Sequence, residues 1–196
     1  MTRVAVVPLK HLDRAKSRLE GTVADRPALA LELLAGVLGA LRDSGVVDRV
    51  LVISPDRRVS AASPPGSFVL QRTRGLNPAL EEARRVAVEG GASELLVVLA
   101  DLGELSAGAV RRLVACRPPG SGGVAAPDRE GRGTNALLLH PPDLVPFRFG
   151  RDSLRHHRAE ARRRGVPLVL FREPETMNDL DTPEHLRNAT RSWRSP

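Results

Sequence analysis

Short apolar runs alternate along the chain with longer segments in which apolar residues recur every three or four positions. The first run, residues 4–8, is rich in β-branched residues and predicts a buried strand. Between residues 28 and 44, leucine and valine recur every fourth position, which predicts a helix with one apolar face. The same criteria predict further strands over 49–53, 68–70, 95–100, 124–126, 136–139 and 166–171, helices over 77–89, 107–116 and 153–165, and a C-terminal helix that begins at Thr182.

The alternation of strands and helices predicts an α/β fold with a Rossmann-like, mainly parallel sheet. Right-handed crossovers between parallel strands place helices on both faces of such a sheet. The length of 196 residues fits one domain, which we expect over residues 1–189, followed by a polar tail over 190–196. Ligands of these sheets bind at the carboxyl ends of the strands, so the polar segments that follow the strands are the candidate site.

The composition narrows the choice of ligand. The net charge of +7 suggests an anionic partner, but aromatic residues make up only 3% of the chain, too few for a surface that stacks single-stranded bases. The basic residues are scattered except for the run at 162–164, so we expect a small polyanion such as a nucleotide and no nucleic acid. The absence of a long apolar run, of a secretory signal and of a second cysteine besides Cys116 predicts a cytoplasmic protein without a membrane partner.

The two lysines lie unusually close together. Among 30 lysine and arginine residues, only Lys10 and Lys16 are lysines, and both fall in the polar loop after the first strand. A lysine ammonium is a compact charge and a common phosphate ligand, whereas arginine favours planar, bidentate pairing. The loop is therefore a candidate phosphate site, although chance could also place two lysines together.

Carboxylates follow other strands and should open on the same edge of the sheet. Asp101 ends the most apolar strand, and Asp179 and Asp181 follow the last strand. Two or three carboxylates beside two lysines resemble a site for Mg²⁺ and a polyphosphate. The alternatives are a capped strand end for Asp101, and turn and helix-capping roles for Asp179 and Asp181.

Two glycine-containing segments could bind a further anion. Residues 131–135 form a glycine-rich connection whose backbone N–H groups could face an anion, although an ordinary turn explains it equally well. Residues 149–153 open a predicted helix, where backbone donors favour a carboxylate or phosphate. We expect His156 and His157, adjacent on that helix, to be exposed and not to bind a metal together.

Five motifs, spread in order over residues 4–186, carry a resemblance to a known family. The chain resembles the family of 2-phospholactate and phosphoenolpyruvate guanylyltransferases, which take part in coenzyme F-420 biosynthesis. The motifs are Pro8-Leu9-Lys10 with residues 15–19, residues 75–80, residues 127–129 with 133–137, residues 147–150 with Ser153, and residues 179–183. The resemblance implies a glycosyltransferase-A-like nucleotidyltransferase that joins GMP from GTP to a phosphorylated three-carbon acid and releases pyrophosphate.

The resemblance also implies roles for individual residues. Lys16, Arg18 and Asp101 are the implied catalytic residues, and Asp101, Asp179 and Asp181 are implied to hold Mg²⁺. The implied GTP-binding residues are Pro8, Leu9, Lys10, Lys16, Arg18, Gly75 and Asn77, and the implied acceptor-acid residues are Thr134, Asn135, Gly150 and Ser153.

The chain departs from the family around Asp101. The family pattern places prolines two residues before and two residues after this aspartate, where the present sequence has Leu99 and Gly103. Two rival functions stay open: a nucleotidyltransferase for another phosphorylated acceptor, and a basic nucleotide- or RNA-binding module without catalysis. A homodimer is expected only from its general frequency among proteins.

Overall fold

The computed structural model describes residues 1–19 and 21–179. In that part of the chain, seven strands form one sheet that carries helices on both faces. The strands are β1 (Arg3–Pro8), β2 (Arg49–Ser54), β3 (Phe68–Leu70), β4 (Glu94–Val98), β5 (Gly122–Pro127), β6 (Thr134–His140) and β7 (Leu168–Leu170). The helices are α1 (Arg26–Asp43), α2 (Leu76–Glu89), α3 (Ala107–Ala115), α4 (Ser153–Arg163) and α5 (Pro174–Met177), with short 3₁₀ turns at Leu12–Arg14, Ser17–Leu19 and Arg57–Ala62.

The strand order is β3-β2-β1-β4-β6-β5-β7, and the sheet is mainly parallel, as predicted. Only β6 among these strands runs against its neighbours, pairing antiparallel with both β4 and β5. The connection from β5 to β6, residues 128–133, is too short for a crossover helix, so the chain turns back directly. The reversal brings the first residues of β6 beside the last residues of β4, since Ala136 pairs with Val98.

Two apolar layers bury the two faces of the sheet. Along β4, Leu96 and Val98 pack with α1 and α3, whereas Leu95 and Val97 pack with α2 and α4. The alternation follows from the two-residue period of a strand. All five residues of β4 are buried, which explains why its sequence is almost continuously apolar.

The start of α2 differs from the prediction. The sequence Asn77-Pro78 predicts that Asn77 caps this helix, since asparagine is a favoured cap residue and proline suits the first helical position. In the structure the cap residue is Gly75, whose φ of 98° suits glycine, and Leu76 is the first helical residue. The Asn77 side chain lies inside the first turn and binds the Phe149 backbone instead. Local capping preference was therefore overridden by a tertiary contact.

The sequence did not predict every element of the C-terminal part of the chain. Helix α5 spans four residues, too few for an apolar period to become visible, and was not predicted. The predicted helix from Thr182 and the tail over 190–196 lie outside the described residues. Within residues 1–19 and 21–179, no helix is long and apolar enough to cross a membrane.

Candidate nucleotide-binding site

A cleft of about 970 Å³ opens at the carboxyl ends of β1 and β4. Its volume suits a nucleotide-sized ligand. The loop after β1, the loop between β3 and α2, and the end of β4 form its walls. The predicted site residues that line it are Pro8, Leu9, Lys10, Lys16, Gly75 and Asp101.

The loop that carries both lysines is fixed to the sheet at several points. The Leu9 N–H donates to the Ile53 carbonyl at 2.9 Å and so extends the β1–β2 pairing past the end of β1. Further on, the apolar side chains of Leu12 and Ala15 are buried in the core. The loop is thus a rigid support that presents Lys10 and Lys16 to the cleft.

A buried carboxylate anchors the middle of this loop. Asp56 accepts a hydrogen bond from the Leu12 N–H at 3.1 Å and from both the backbone and the guanidinium of Arg58. The hydrogen bonds from Arg58 hold the pKa of Asp56 far below its usual range despite burial. His11 and Asp13, which line the cleft beside this anchor, were not predicted as site residues. Their position between the two lysines was the only available signal.

Lys16 and Asp101 meet at the base of the cleft. Lys16 Nζ lies 3.4 Å from Asp101 Oδ2, and only 7% of the Lys16 side chain is exposed. Lys16 has a φ of 52°, which a non-glycine residue rarely adopts, whereas Lys10 has ordinary backbone and an exposed side chain. Strained residues cluster at functional sites, so Lys16 is the more strongly positioned of the two lysines.

The second carboxylate oxygen of Asp101 fits a cation. Oδ1 is buried and has no hydrogen-bond partner among the described residues. Because a buried, unpaired carboxylate oxygen is costly, this atom suits a hard divalent ion, which prefers oxygen ligands. No group of three His, Cys, Asp or Glu side chains is placed to hold a metal within residues 1–19 and 21–179. Asp181 and the side chain of Arg18 lie outside the described part of the chain.

Segment 71–75, which connects β3 to α2, forms the opposite wall of the cleft. Glu82 on α2 accepts hydrogen bonds from the N–H groups of Arg72 and Thr73, at 3.0 and 2.6 Å. Burial alone would raise the pKa of Glu82, but these hydrogen bonds outweigh it and the pKa is lowered. Gln71, Thr73 and Arg74 line the cleft together with Gly75 and were not predicted, since the recognised motif begins only at Gly75.

Asn77 does not line the cleft. Its Nδ2 donates to the Phe149 carbonyl at 3.0 Å, and its Oδ1 accepts the Phe149 N–H at 2.8 Å. Both ends of the amide are thus engaged in joining α2 to the loop before α4. The Asn77 side chain thus braces α2 against this loop, and its implied role in binding GTP stays a prediction.

The residues expected to bind the acceptor acid form a second group around the start of β6 and α4. Thr134 and Ser153 are only 2% and 1% exposed. The Leu154 N–H donates to the Arg132 carbonyl at 3.0 Å, which joins the glycine-rich loop to the first turn of α4. Gly150, at a φ of 119°, makes the turn into that helix. Thr134, Gly150 and Ser153 therefore lie on connected segments, apart from the nucleotide cleft lining.

His157 organises this second group. Its Nε2 accepts the Arg148 N–H at 3.0 Å, so the proton resides on Nδ1, which donates to Thr134 Oγ1 at 3.1 Å. Burial lowers the pKa of His157 to about 4, which keeps the ring neutral. The expectation that both histidines are exposed holds for His156 and is wrong for His157, which is fully buried. Adjacent helical positions point in different directions, and packing against Phe149 decided which one is buried.

Asn135 does not line the cleft either, and its side chain binds another part of the chain. Its Nδ2 donates to the carbonyls of Thr176 and Met177, at 3.1 and 3.4 Å. Its own carbonyl accepts the Leu99 N–H at 3.0 Å. Leu99 stands where the family pattern has proline, and proline could not donate this hydrogen bond. Gly103 stands at the second position where the family pattern has proline. Its N–H donates a hydrogen bond to the Asp101 carbonyl and so closes the turn after β4.

Comparison with known proteins identifies the family. Residues 3–190 match the family profile described as guanylyl transferase CofC like. The chain belongs to this family. Phosphoenolpyruvate guanylyltransferase of Sphaerobacter thermophilus is 44% identical over 95% of this chain and 91% of that protein. The enzyme of the same name from Rubrobacter xylanophilus is also 44% identical, over 95% of this chain and 92% of that protein. A 3-phospho-D-glycerate guanylyltransferase of Colwellia psychrerythraea is 31% identical over 92% of this chain and 88% of that protein.

Solved structures confirm the nucleotidyltransferase fold. A nucleotidyl transferase from Methanothermobacter thermautotroptrophicus superposes with a TM-score of 0.71 at 19% identity, covering 98% of this chain and 97% of that one. A protein of Mycobacterium tuberculosis H37Rv solved as a complex with manganese has a TM-score of 0.62 at 16% identity, over 98% of this chain and all of that one. This member of the CofC-like family is therefore a guanylyltransferase built on the nucleotidyltransferase fold that the resemblance implied.

Proposed function

We propose that this protein transfers GMP from GTP to phosphoenolpyruvate and releases pyrophosphate, as a step of coenzyme F-420 biosynthesis. The names of the two relatives at 44% identity support phosphoenolpyruvate as the acceptor. The structural observation that carries the proposal is the cleft in which Lys16 and Asp101 meet beside Lys10. It offers cations for a polyphosphate and a carboxylate for a divalent ion at one place.

The reaction needs no protein nucleophile. A phosphate oxygen of the acceptor attacks the α-phosphorus of GTP, the bond between that phosphorus and the bridging oxygen breaks, and pyrophosphate departs. A phosphate monoester is already largely ionised at neutral pH, so the protein contributes by positioning the two reactants and neutralising charge. Lys16 and Lys10 lie where they can bind the departing phosphates, and Arg18 is proposed to assist them.

Mg²⁺ is the proposed divalent ion. Asp101 would hold it through the buried Oδ1, together with Asp179 and Asp181 from the C-terminal segment. When bound, the ion supplies positive charge beside the phosphates that react. The pairing of the other Asp101 oxygen with Lys16 keeps a carboxylate and an ammonium side by side for this purpose.

The acceptor is proposed to bind at Thr134, Gly150 and Ser153. Because His157 Nδ1–H donates to Thr134 Oγ1, the hydroxyl hydrogen of Thr134 can be donated to an anion. The positive end of the α4 dipole also lies beside these residues and favours an anion. A small acid with one carboxylate and one phosphate suits such fixed donors.

Pyrophosphate release tests the proposal directly. The purified protein is incubated with GTP, Mg²⁺ and, in separate reactions, phosphoenolpyruvate, 2-phospholactate or 3-phospho-D-glycerate. We expect pyrophosphate with phosphoenolpyruvate at the highest kcat/KM, and none when the acid or the ion is left out. If turnover were faster with 3-phospho-D-glycerate than with phosphoenolpyruvate, the acceptor of this protein would be the one that the Colwellia relative is named for. Salt-sensitive RNA binding without any pyrophosphate would favour the non-catalytic module.

A further inference from the structure

Asn135 links the two chain segments in which the proposed metal ligands Asp101 and Asp179 lie. Asp101 follows the end of β4, and Asp179 follows α5, far apart in the sequence. Asn135, near the start of β6, contacts both segments. Its carbonyl accepts from Leu99, two residues before Asp101, and its Nδ2 donates to Met177, two residues before Asp179.

The amide of Asn135 is well suited to this bridging. The residue is only 4% exposed, and Nδ2 has two N–H groups, which face the carbonyls of Thr176 and Met177 at the end of α5. Those carbonyls have no partner within so short a helix, because the last four carbonyls of a helix lack intrahelical donors. The backbone pairing of β4 with β6 fixes where Asn135 stands, since the antiparallel register runs through Ala136 and Val98.

Other contacts hold the same segment but act further from Asp101. Asn178 Nδ2 donates to Glu104 at 2.8 Å, and Arg112 on α3 pairs with Glu173 and Glu175. The Arg112 contacts lie on the exposed surface, where ion pairs contribute little. Asn135 is the buried member of this set, so we expect its contacts to have the largest influence on where Asp179 lies relative to Asp101.

We propose that Asn135 is a positioning residue for the divalent metal site and not a ligand of the acceptor acid. It sets the position of Asp179 relative to the Asp101 turn, so that both carboxylates can reach one ion. This inference rests on the proposed function for the presence of the ion, but it can be tested without substrates. Groups that orient metal ligands commonly change metal affinity by about 10- to 100-fold when removed.

The test measures Mn²⁺ binding to the protein without nucleotide or acid, from the electron paramagnetic resonance signal of the free ion. We expect Asn135→Ala to raise the Mn²⁺ dissociation constant at least tenfold. Asn77→Ala is the matched control, because it removes a partly buried amide bridge to backbone without touching either metal segment. Its Mn²⁺ dissociation constant should stay within twofold of the wild type.

A second variant covers the case in which Asn135→Ala does not fold. Asn178→Ala removes the hydrogen bond to Glu104 from a half-buried position and should weaken Mn²⁺ binding in the same direction by a smaller factor. Steady-state kinetics then separate the roles: the apparent constant for the ion should rise in Asn135→Ala while the KM for the acid changes less.

Three outcomes would overturn the inference: a wild-type protein that binds no Mn²⁺, an Asn135→Ala variant with normal Mn²⁺ affinity, or an Asn135→Ala variant in which only the KM for the acid rises. If wild-type protein releases no pyrophosphate with any acid but Asn135→Ala still weakens Mn²⁺ binding, the proposed reaction fails and the positioning role stands.

Discussion

The nucleotide side and the acceptor side of this sheet edge use polar groups in opposite ways. On the nucleotide side, Lys10 and the 71–75 segment line an open cleft, and their charges and backbone groups face the space where a ligand binds. On the acceptor side, Thr134, Ser153 and His157 are at most 2% exposed, and Thr134 and His157 are hydrogen-bonded to each other. We propose that the first arrangement accommodates a long, flexible polyphosphate and that the second fixes a few donors for a small acid.

The comparison implies different consequences of mutation. Exposed polar side chains that line the cleft, such as that of Lys10, contribute little to the core, so their loss should change activity more than stability. Side chains of the buried group contribute to both, because removing one leaves its partner without a hydrogen bond. The predictions below test this difference, beginning with the largest effect.

The largest effect is expected at Asp101. Asp101→Asn keeps the shape but removes the charge that attracts a divalent ion, so turnover should fall at least ~100-fold in a pyrophosphate-release assay. The free energy of unfolding should change by less than about 1 kcal/mol. Asp43→Asn, an exposed aspartate at the end of α1, is the control and should retain wild-type turnover. Near-normal turnover in Asp101→Asn would remove this residue from the metal site.

The next effect is expected at Lys16. Lys16→Ala should be nearly inactive, and Lys16→Arg clearly impaired, because a wide planar guanidinium replaces a compact ammonium in a confined position. Both kcat and the KM for GTP should worsen, since charge on the leaving pyrophosphate grows in the transition state. Lys10→Ala, at an exposed position of the same loop, should have the smaller effect. Values within about twofold of the wild type in both Lys16 variants would exclude the phosphate-binding role.

On the acceptor side, Thr134→Val and Ser153→Ala should raise the KM for the acid more than the KM for GTP. Each removes a donor to a charged group, worth roughly 1.5–3 kcal/mol, or about 10- to 100-fold. Thr134→Val should also lower the free energy of unfolding by about 1–2 kcal/mol, because His157 Nδ1–H loses its acceptor. Equal changes in both KM values would mean that these residues shape the site without binding the acid.

The smallest effect is a change in how stability depends on pH. Burial lowers the pKa of His157 to about 4, well below its unfolded value of ~6.5, so on acidification the unfolded chain takes up this proton first. The free energy of unfolding therefore does not depend on this group above pH ~6.5. As the pH falls from ~6.5 towards 4, the free energy of unfolding decreases, by up to about 3 kcal/mol.

Urea denaturation from pH 7 to pH 4 checks this effect. His157→Asn should lose less stability over that range than the wild type, and His156→Asn, its exposed neighbour, should follow the wild type. If the free energy of unfolding changed with pH in the same way in the wild type and in His157→Asn, the pKa of His157 would not be lowered by burial.

The sequence by itself determined the layered architecture and the location of the nucleotide side. A two-residue or four-residue apolar period is a local property, so the core strands and long helices could be read directly, as could the clustering of the two lysines. The loop that carries both lysines lies directly after β1, and loops that follow the strands of a parallel α/β sheet open at its carboxyl edge.

Only the tertiary structure decided the roles of the buried polar residues. Nothing local distinguishes His157 from His156, and the choice follows from Phe149 and Thr134, which reach the helix from other segments. Asn77 looked like a helix cap and Asn135 like a ligand of the acid, but each amide binds backbone more than 40 residues away. An amide can satisfy its hydrogen bonds with any backbone group nearby, so its partner is fixed by the packing of the whole chain and not by its neighbours in the sequence.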